Sequence, residues 1–305
     1  MPGPVHVIGS LMVDRVLRVA TLPRAGETIT ARSTTIHPGG KGANQAVAAA
    51  RCGARVRMLG RTGSDGRFIV DELVRAGVDA AAITTDDPMS GSAAVMVDDH
   101  GMNAIVIAPE ANTRLTQTAI DAFLEGAAPR GILLVQNECS GLAHAVATAS
   151  RHGLRVWLNA APMDDRARTV DLSLVDCLLV NETEAMALAA TDDPHDAFAG
   201  LCEAWPKLDV VLTLGAAGWI ARVEGTVLRG AALPVRVIDT VGCGDAFVGA
   251  LAALRSEGMA WPDALARANA AGAIAATVSG AIPSIPPREA IEAMVRSLGA
   301  GAPTT

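Results

Sequence analysis

Short apolar runs alternate with Ala-rich amphipathic stretches through the middle of the chain, and this alternation constrains the fold more than any other feature. The runs 132–136, 155–158, 177–180 and 209–214 are apolar on both faces of an extended chain. A strand of that kind needs cover on both sides. The stretches 116–125, 142–152, 182–190 and 195–204 have helical periodicity and supply it. Residues 5–10 and 56–60 read as further strands of the same sort, each ending at a glycine. Helices are predicted near 42–52, 65–76 (closed by Gly77), 244–257, 262–278 and 287–298, with a short strand pair near 218–237. The predicted fold is a three-layer α/β/α sandwich with a mostly parallel central sheet.

Two segments break the alternation. Residues 12–37 contain the β-leaning patches 15–19 and 27–30, and residues 91–108 contain runs at 92–97 and 104–108 around the turn Asp98-Asp99-His100-Gly101. Their interleaved polar and apolar residues suit strands with one wet face. They are expected to pair as a small separate sheet. The expected division is an α/β domain (1–11, 38–90 and 109–298), a β lid (12–37 and 91–108) and a frayed tail (299–305).

Half of the 305 residues are hydrophobic, but there is no Tyr and only four Phe and four Trp, so the core must be aliphatic. A net charge of −7 without a Lys/Arg cluster argues against nucleic acid or an anionic membrane as partner. No apolar run reaches the roughly 18 residues of a membrane span, and the N-terminus lacks a charged region followed by an apolar one. A cytoplasmic protein is expected. The five cysteines are scattered and show no metal-ligand spacing.

The strongest chemical signal is Asp239-Thr240-Val241-Gly242-Cys243-Gly244-Asp245, read as following a strand at 235–238 and opening a helix. Amides at a helix N-terminus make a site for phosphate oxygens. Asp245 falls in the first turn, where it is either a helix cap or a base beside a phosphoryl group. A second glycine run, Gly39-Gly40-Lys41-Gly42-Ala43-Asn44-Gln45, also precedes a helix. Its spacing is neither a Walker A loop nor the dinucleotide fingerprint. Asn181-Glu182-Thr183-Glu184 follows the strand at 177–180; it fits a helix cap or oxygen ligation of hydrated Mg²⁺. Thr213-Leu214-Gly215-Ala216-Ala217-Gly218 is another strand-end loop, suited to lining a nucleotide.

In this order, the motifs resemble those of the PfkB carbohydrate kinases, and within them the ribokinase and deoxyribokinase branch, over about residues 5–286. Residues 39–51 look like the first family signature and 239–245 like the second; Asn159-Ala160-Ala161-Pro162 and Gly280-Ala281-Ile282-Pro283-Ser284 match further stretches. The resemblance implies the ribokinase-like fold, with the stray β segments as a lid that closes over sugar and pairs in a homodimer. It implies an ATP-dependent sugar kinase in which Asp245 is the catalytic base and the amides of Gly242, Cys243 and Gly244 form the anion hole. Met12, Asp14, Gly40, Lys41, Asn44 and Glu138 would meet the sugar. Asn181, Thr213, Gly215, Gly218 and Asn269 would line the ATP site, and Glu184 would serve Mg²⁺ through water. Asp239, Val241, Ala276, Ser279, Gly280 and Ser284 would match a K⁺ site.

One position departs from the ribokinase pattern. Gly9-Ser10-Leu11-Met12-Val13-Asp14 has Met12 where ribokinases have an Asn that bonds a sugar hydroxyl near C2. Burying a hydroxyl without a partner costs about 1–3 kcal/mol, so a sugar lacking it is favoured. The expected substrate is 2-deoxy-D-ribose, followed by D-ribose. Other furanoses or nucleosides, or a non-catalytic sugar-binding regulator on the same fold, are the alternatives. A dinucleotide oxidoreductase is excluded by the missing fingerprint after the first strand.

Overall fold

The computed structural model describes residues 3–299. Its large sheet contains β1 (Val5–Ile8), β4 (Val56–Gly63), β5 (Val78–Asp87), β8 (Ile132–Gln136), β9 (Arg155–Asn159), β10 (Cys177–Asn181), β11 (Asp209–Thr213), β12 (Trp219–Val223) and β13 (Thr226–Gly230). The small sheet contains β2 (Met12–Arg18), β3 (Ser33–Gly39), β6 (Gly91–Val97) and β7 (Asn103–Ala108).

The large sheet runs in the order β13-β12-β11-β10-β9-β8-β1-β4-β5. All its pairs are parallel except the hairpin edge β11-β12-β13. The apolar runs are buried on both faces, as expected. On β8, Ile132 and Leu134 join the core under helices Lys41–Arg51, Cys243–Ser256 and Trp261–Ala275, while Leu133 and Val135 join the core under Gln117–Glu125, Leu142–Arg151 and Pro194–Ala204. The chain runs outward from β1 through β4 and β5, then returns to β8 on the other side. Strand order therefore reverses between β1 and β8, and ligands gather at the carboxyl ends of strands at such a point.

The two stray segments do pair. β2 lies parallel to β6, with β3 and β7 antiparallel at the two edges. Three local expectations change. Residues 27–30 form no strand. Residues 235–238 join no strand ladder, so the Gly242–Asp245 turn follows a loop. The ten-residue β5 is an additional strand. The helix Arg288–Gly299 includes the first residue of the expected tail; residues 300–305 lie outside the described part. Among the described residues no helix is long and apolar enough to cross a membrane.

Helices Lys41–Arg51 and Cys243–Ser256 cross at very short range. A Cβ on Gly249 would stand 2.4 Å from the Gln45 carbonyl oxygen and 2.5 Å from Ala48 Cβ. At its far end the first helix holds the late loop, because Arg51 donates to the carbonyls of Ile282 (2.8 Å) and Ile285 (2.7 Å). In a free helix Gly249→Ala would gain about 0.5–1 kcal/mol. Here overpacking dominates, and the variant is expected to lose about 1–3 kcal/mol, measured by urea unfolding. A more stable variant would show that the helices do not need this proximity.

Candidate active site

Asp245 occupies the first turn of helix Cys243–Ser256 and is 7% exposed. Asn44 Nδ2 donates to its Oδ2 at 2.8 Å, and Gln45 Nε2 donates to its Oδ1 at 2.8 Å. Both carboxylate oxygens are thus fixed by amides from the other glycine-led helix. The cap residue of this helix is Gly242, with φ +80°, and the Asp245 carboxylate is held by side-chain amides instead of the helix's own N–H groups. A Cβ on Gly242 would come 2.9 Å from Ala281, so the late loop presses on this turn.

The expected amide cradle is altered in one detail. The Cys243 N–H turns back to the Thr240 carbonyl at 3.3 Å, whereas Gly242 and Gly244 have no backbone acceptor among the described residues. A Cβ on Gly244 would meet nothing within 4 Å, so the space beside it is open. Two cavities meet there. The smaller, about 210 Å³, is lined by Lys41, Asn181, Glu184, Thr213, Gly244 and Asp245 among others. The larger, about 830 Å³, runs past Thr213, Gly215, Gly218, Cys243, Asn269 and Ala276. Asn269 Nδ2 donates to the Ala231 carbonyl at 2.9 Å and helps hold the wall of the larger cavity. Burial, then Asp239 and Asp245, push the Cys243 thiol up to about 11, so it stays neutral.

The other glycine run is used mainly for packing. A Cβ on Gly42 would collide with the Gly9-Ser10 backbone, and Gly40 (φ +94°) lies against Ser10 and Met12. A Cβ on Gly39 would overlap the Asp14 carboxylate. These close approaches bring Met12, Asp14, Lys41 and Glu138 to the switch between β1 and β8. Glu138 accepts from the Lys41 amide at 3.0 Å and from the Ser10 hydroxyl. Burial depresses Lys41, but Asp245, Glu138 and Glu184 together outweigh it and hold the ammonium above its usual range. Met12 is 3% exposed, and its sulfur lies 3.5 Å from Asn112 Nδ2. The same amide donates to the Leu11 carbonyl while its oxygen accepts from the Leu11 amide. Asn112 is therefore committed and supplies no substitute donor.

Asn181 and Glu184 make a full capping box. Glu184 takes the Asn181 amide and side-chain N–H at 3.0 Å each, and burial raises its carboxyl. The cap and its place on the cavity wall coexist, since a carboxylate has further lone pairs. Asp239 gathers the remaining predicted positions: its carboxylate accepts from Val241 N (3.0 Å), Gly280 N (2.9 Å) and Ser279 Oγ (3.2 Å). Two positions point elsewhere. The Ala276 carbonyl already accepts the Ile238 and Asp239 amides, and the Ser284 hydroxyl donates to Ala281 O.

The model of the pfkB family carbohydrate kinases matches residues 4–288. The chain belongs to that family. This PfkB kinase is 35% identical over 294 residues to a ribokinase of Haemophilus influenzae, covering 93% of this chain and 95% of the relative. It is 32% identical over 265 residues to a deoxyribokinase of Salmonella typhi, covering 81% and 84%. Its fold superposes on an Arabidopsis thaliana ribokinase complexed with ribose and ATP with a TM-score of 0.85 at 28% identity, covering 97% and 99% of the two chains. The chain is thus a sugar kinase of the ribokinase and deoxyribokinase type.

Sequence reasoning missed four residues that touch this site: Ser10, Gln45, Asn112 and Gln136. Ser10 and Gln136 stand in or at the end of apolar runs, Gln45 follows Asn44 in the glycine-led run, and Asn112 lies in the polar stretch 110–114; all four are buried, and buried amides and hydroxyls need partners.

Asp14 sets a pH dependence. Burial, then Glu138 and Asp245, raise it from 3.8 to about 7. The folded state therefore binds more protons than the unfolded chain between those values. The associated stability is present below about pH 4 and lost as pH rises to about 7. Asp14→Asn is expected to raise Tm at pH 8, by roughly 2–4 °C per kcal/mol, and to flatten the decline between pH 4 and 7. An unchanged or lower Tm at pH 8 would remove the burden assigned to this carboxylate.

Proposed function

We propose that this kinase transfers the γ-phosphoryl group of ATP to the 5-hydroxyl of a pentose, with 2-deoxy-D-ribose preferred over D-ribose. The observation that carries the chemistry is Asp245, buried and fixed on both oxygens, beside open amides where two cavities meet. In this reading the sugar enters from the Asp14 side and ATP lies along Thr213, Gly215, Gly218 and Asn269. Asp245 accepts the hydroxyl proton as the oxygen attacks the γ-phosphorus and the bond from that phosphorus to the β,γ-bridging oxygen breaks, releasing ADP. The Gly242 and Gly244 amides and Lys41 face the negative charge of the phosphoryl group in flight. The orientation of sugar and base within one closed site replaces a bimolecular encounter.

Glu184 suits a hydrated Mg²⁺: it is a nearly buried carboxylate on the cavity wall with lone pairs left after capping. Mg²⁺ bound with ATP would neutralise charge on the phosphates. We assign the turn gathered on the Asp239 carboxylate, with Val241, Ser279 and Gly280, to a hard monovalent cation such as K⁺, whose role would be to order the loop under Gly242. We also assign the lid as a homodimer contact, because Ile36, Ile105, Val106 and Ile107 are all about half or more exposed on its edge strands. Rates in potassium compared with tetramethylammonium, and light scattering of an Ile105→Lys, Ile107→Lys variant, test these two assignments. Buried, unpaired cysteines at 52, 139 and 177 suit a cytoplasmic setting.

The sugar preference rests on Met12 and on Asn112, which cannot replace the missing donor. Met12→Asn should lower the ratio of kcat/KM for deoxyribose to that for ribose by at least about fivefold, the equivalent of about 1 kcal/mol. A ratio that does not move would reject Met12 as the discriminator.

A further inference from the structure

We propose that Gln45 is a positioning residue for phosphoryl transfer, orienting Asp245 through a buried amide chain whose polarity is set by the Leu179 carbonyl. The proposal rests on the reading of Asp245 as the base. The chain can be followed atom by atom. A backbone carbonyl only accepts, so Asn159 must turn its Nδ2 to Leu179 O, at 3.0 Å. Asn159 Oδ1 is then an acceptor, and Gln45 Nε2 donates to it at 2.9 Å. The same nitrogen donates its second hydrogen to Asp245 Oδ1 at 2.8 Å. Gln45 Oε1 faces the other way and accepts from Gln136 Nε2 at 2.6 Å.

Flipping Gln45 would set its oxygen against two acceptors and leave Gln136 donating to a nitrogen. Flipping Asn159 would set oxygen against the Leu179 carbonyl. The arrangement therefore has one polarity, and it delivers an N–H to Asp245. Gln45 is 0% exposed and Gln136 is 1% exposed, so water does not offer either an alternative partner. Among the described residues no protein donor reaches the Gln136 oxygen, which makes it the far end of the chain.

The consequence is chemical as well as geometric. An N–H directed at a carboxylate favours its ionised form, the form that can accept a proton. It also holds the second oxygen on Asn44, so the carboxylate cannot swing. The other charged groups around Asp245 are Lys41, which favours ionisation, and Asp14, Glu138 and Glu184, which oppose it; the Cys243 thiol is neutral. The neutral donors from Gln45 and Asn44 occupy both oxygens of the carboxylate without adding charge.

The test is the pH dependence of kcat for the wild type, Gln45→Leu, Gln45→Glu and Asp245→Asn, with ATP binding measured for each. Gln45→Leu is expected to lower kcat by roughly 10- to 100-fold, keep the KM for ATP nearly unchanged and move the acid limb of the profile to higher pH. Gln45→Glu, nearly isosteric, replaces the donor by a like charge and should move that limb further. If Gln45→Leu does not fold, Asn159→Ser serves instead; it removes one of the two acceptors that hold Gln45 Nε2 in place and should move the acid limb in the same direction by less. An inactive Asp245→Asn beside Gln45 variants with kcat within about twofold and an unmoved acid limb would overturn the proposal while leaving the base intact. An active Asp245→Asn would overturn the base reading itself.

Discussion

The short crossing of helices Lys41–Arg51 and Cys243–Ser256 governs the geometry of the site. Gly249 lets the second helix sit against the Gln45 carbonyl, one turn beyond Asp245 on the same face. At any greater separation, the Asn44 and Gln45 side chains would not reach both oxygens of Asp245. The same crossing aligns the two glycine-led N-termini, so the turns before Lys41 and Cys243 open into one cavity. Residues some 200 positions apart in sequence form one polar unit because two Ala-rich helices approach without large side chains between them.

Around that unit the protein maintains an imbalance of charge. Asp14, Glu138, Glu184 and Asp245 surround one lysine, and burial raises Asp14, Glu138 and Glu184 above the usual carboxylate range. Without ligands this arrangement costs stability, because buried like charges repel and lack water. Sugar hydroxyls can donate to such carboxylates, and Mg²⁺ can offset them. A site that is uncomfortable when empty gains from being filled, which is consistent with the clustering of shifted carboxylates at functional positions.

Much of the large sheet was legible because parallel strands buried on both faces leave continuous apolar runs, as at 132–136 and 177–180. β5 escaped because Asp79-Ala80-Ala81-Ala82-Ile83-Thr84 has neither period clearly, and its strand status comes from pairing with β4. Residues 235–238 have strand composition but find no partner, since composition does not decide pairing. In the site, the glycine runs and Asp245 stood out because they break the apolar pattern in clusters. Gln45, Gln136 and Asn112 did not, because a single amide has no spacing to read; its meaning lies in a partner far along the chain. Gly39, Gly40 and Gly42 allow the small sheet, the Gly9–Ser10 turn and the first helix to touch, a packing role visible only once these distant segments are together.

The most direct measurement of the whole account is a phosphoryl-transfer assay of the purified protein with MgATP and a panel of pentoses, hexoses and nucleosides, the product being located by phosphorus NMR. The expected result is sugar-dependent ADP formation with phosphate on the 5-oxygen of 2-deoxy-D-ribose and, less efficiently, of D-ribose. ADP formation with neither pentose, or phosphate on another oxygen, would contradict it.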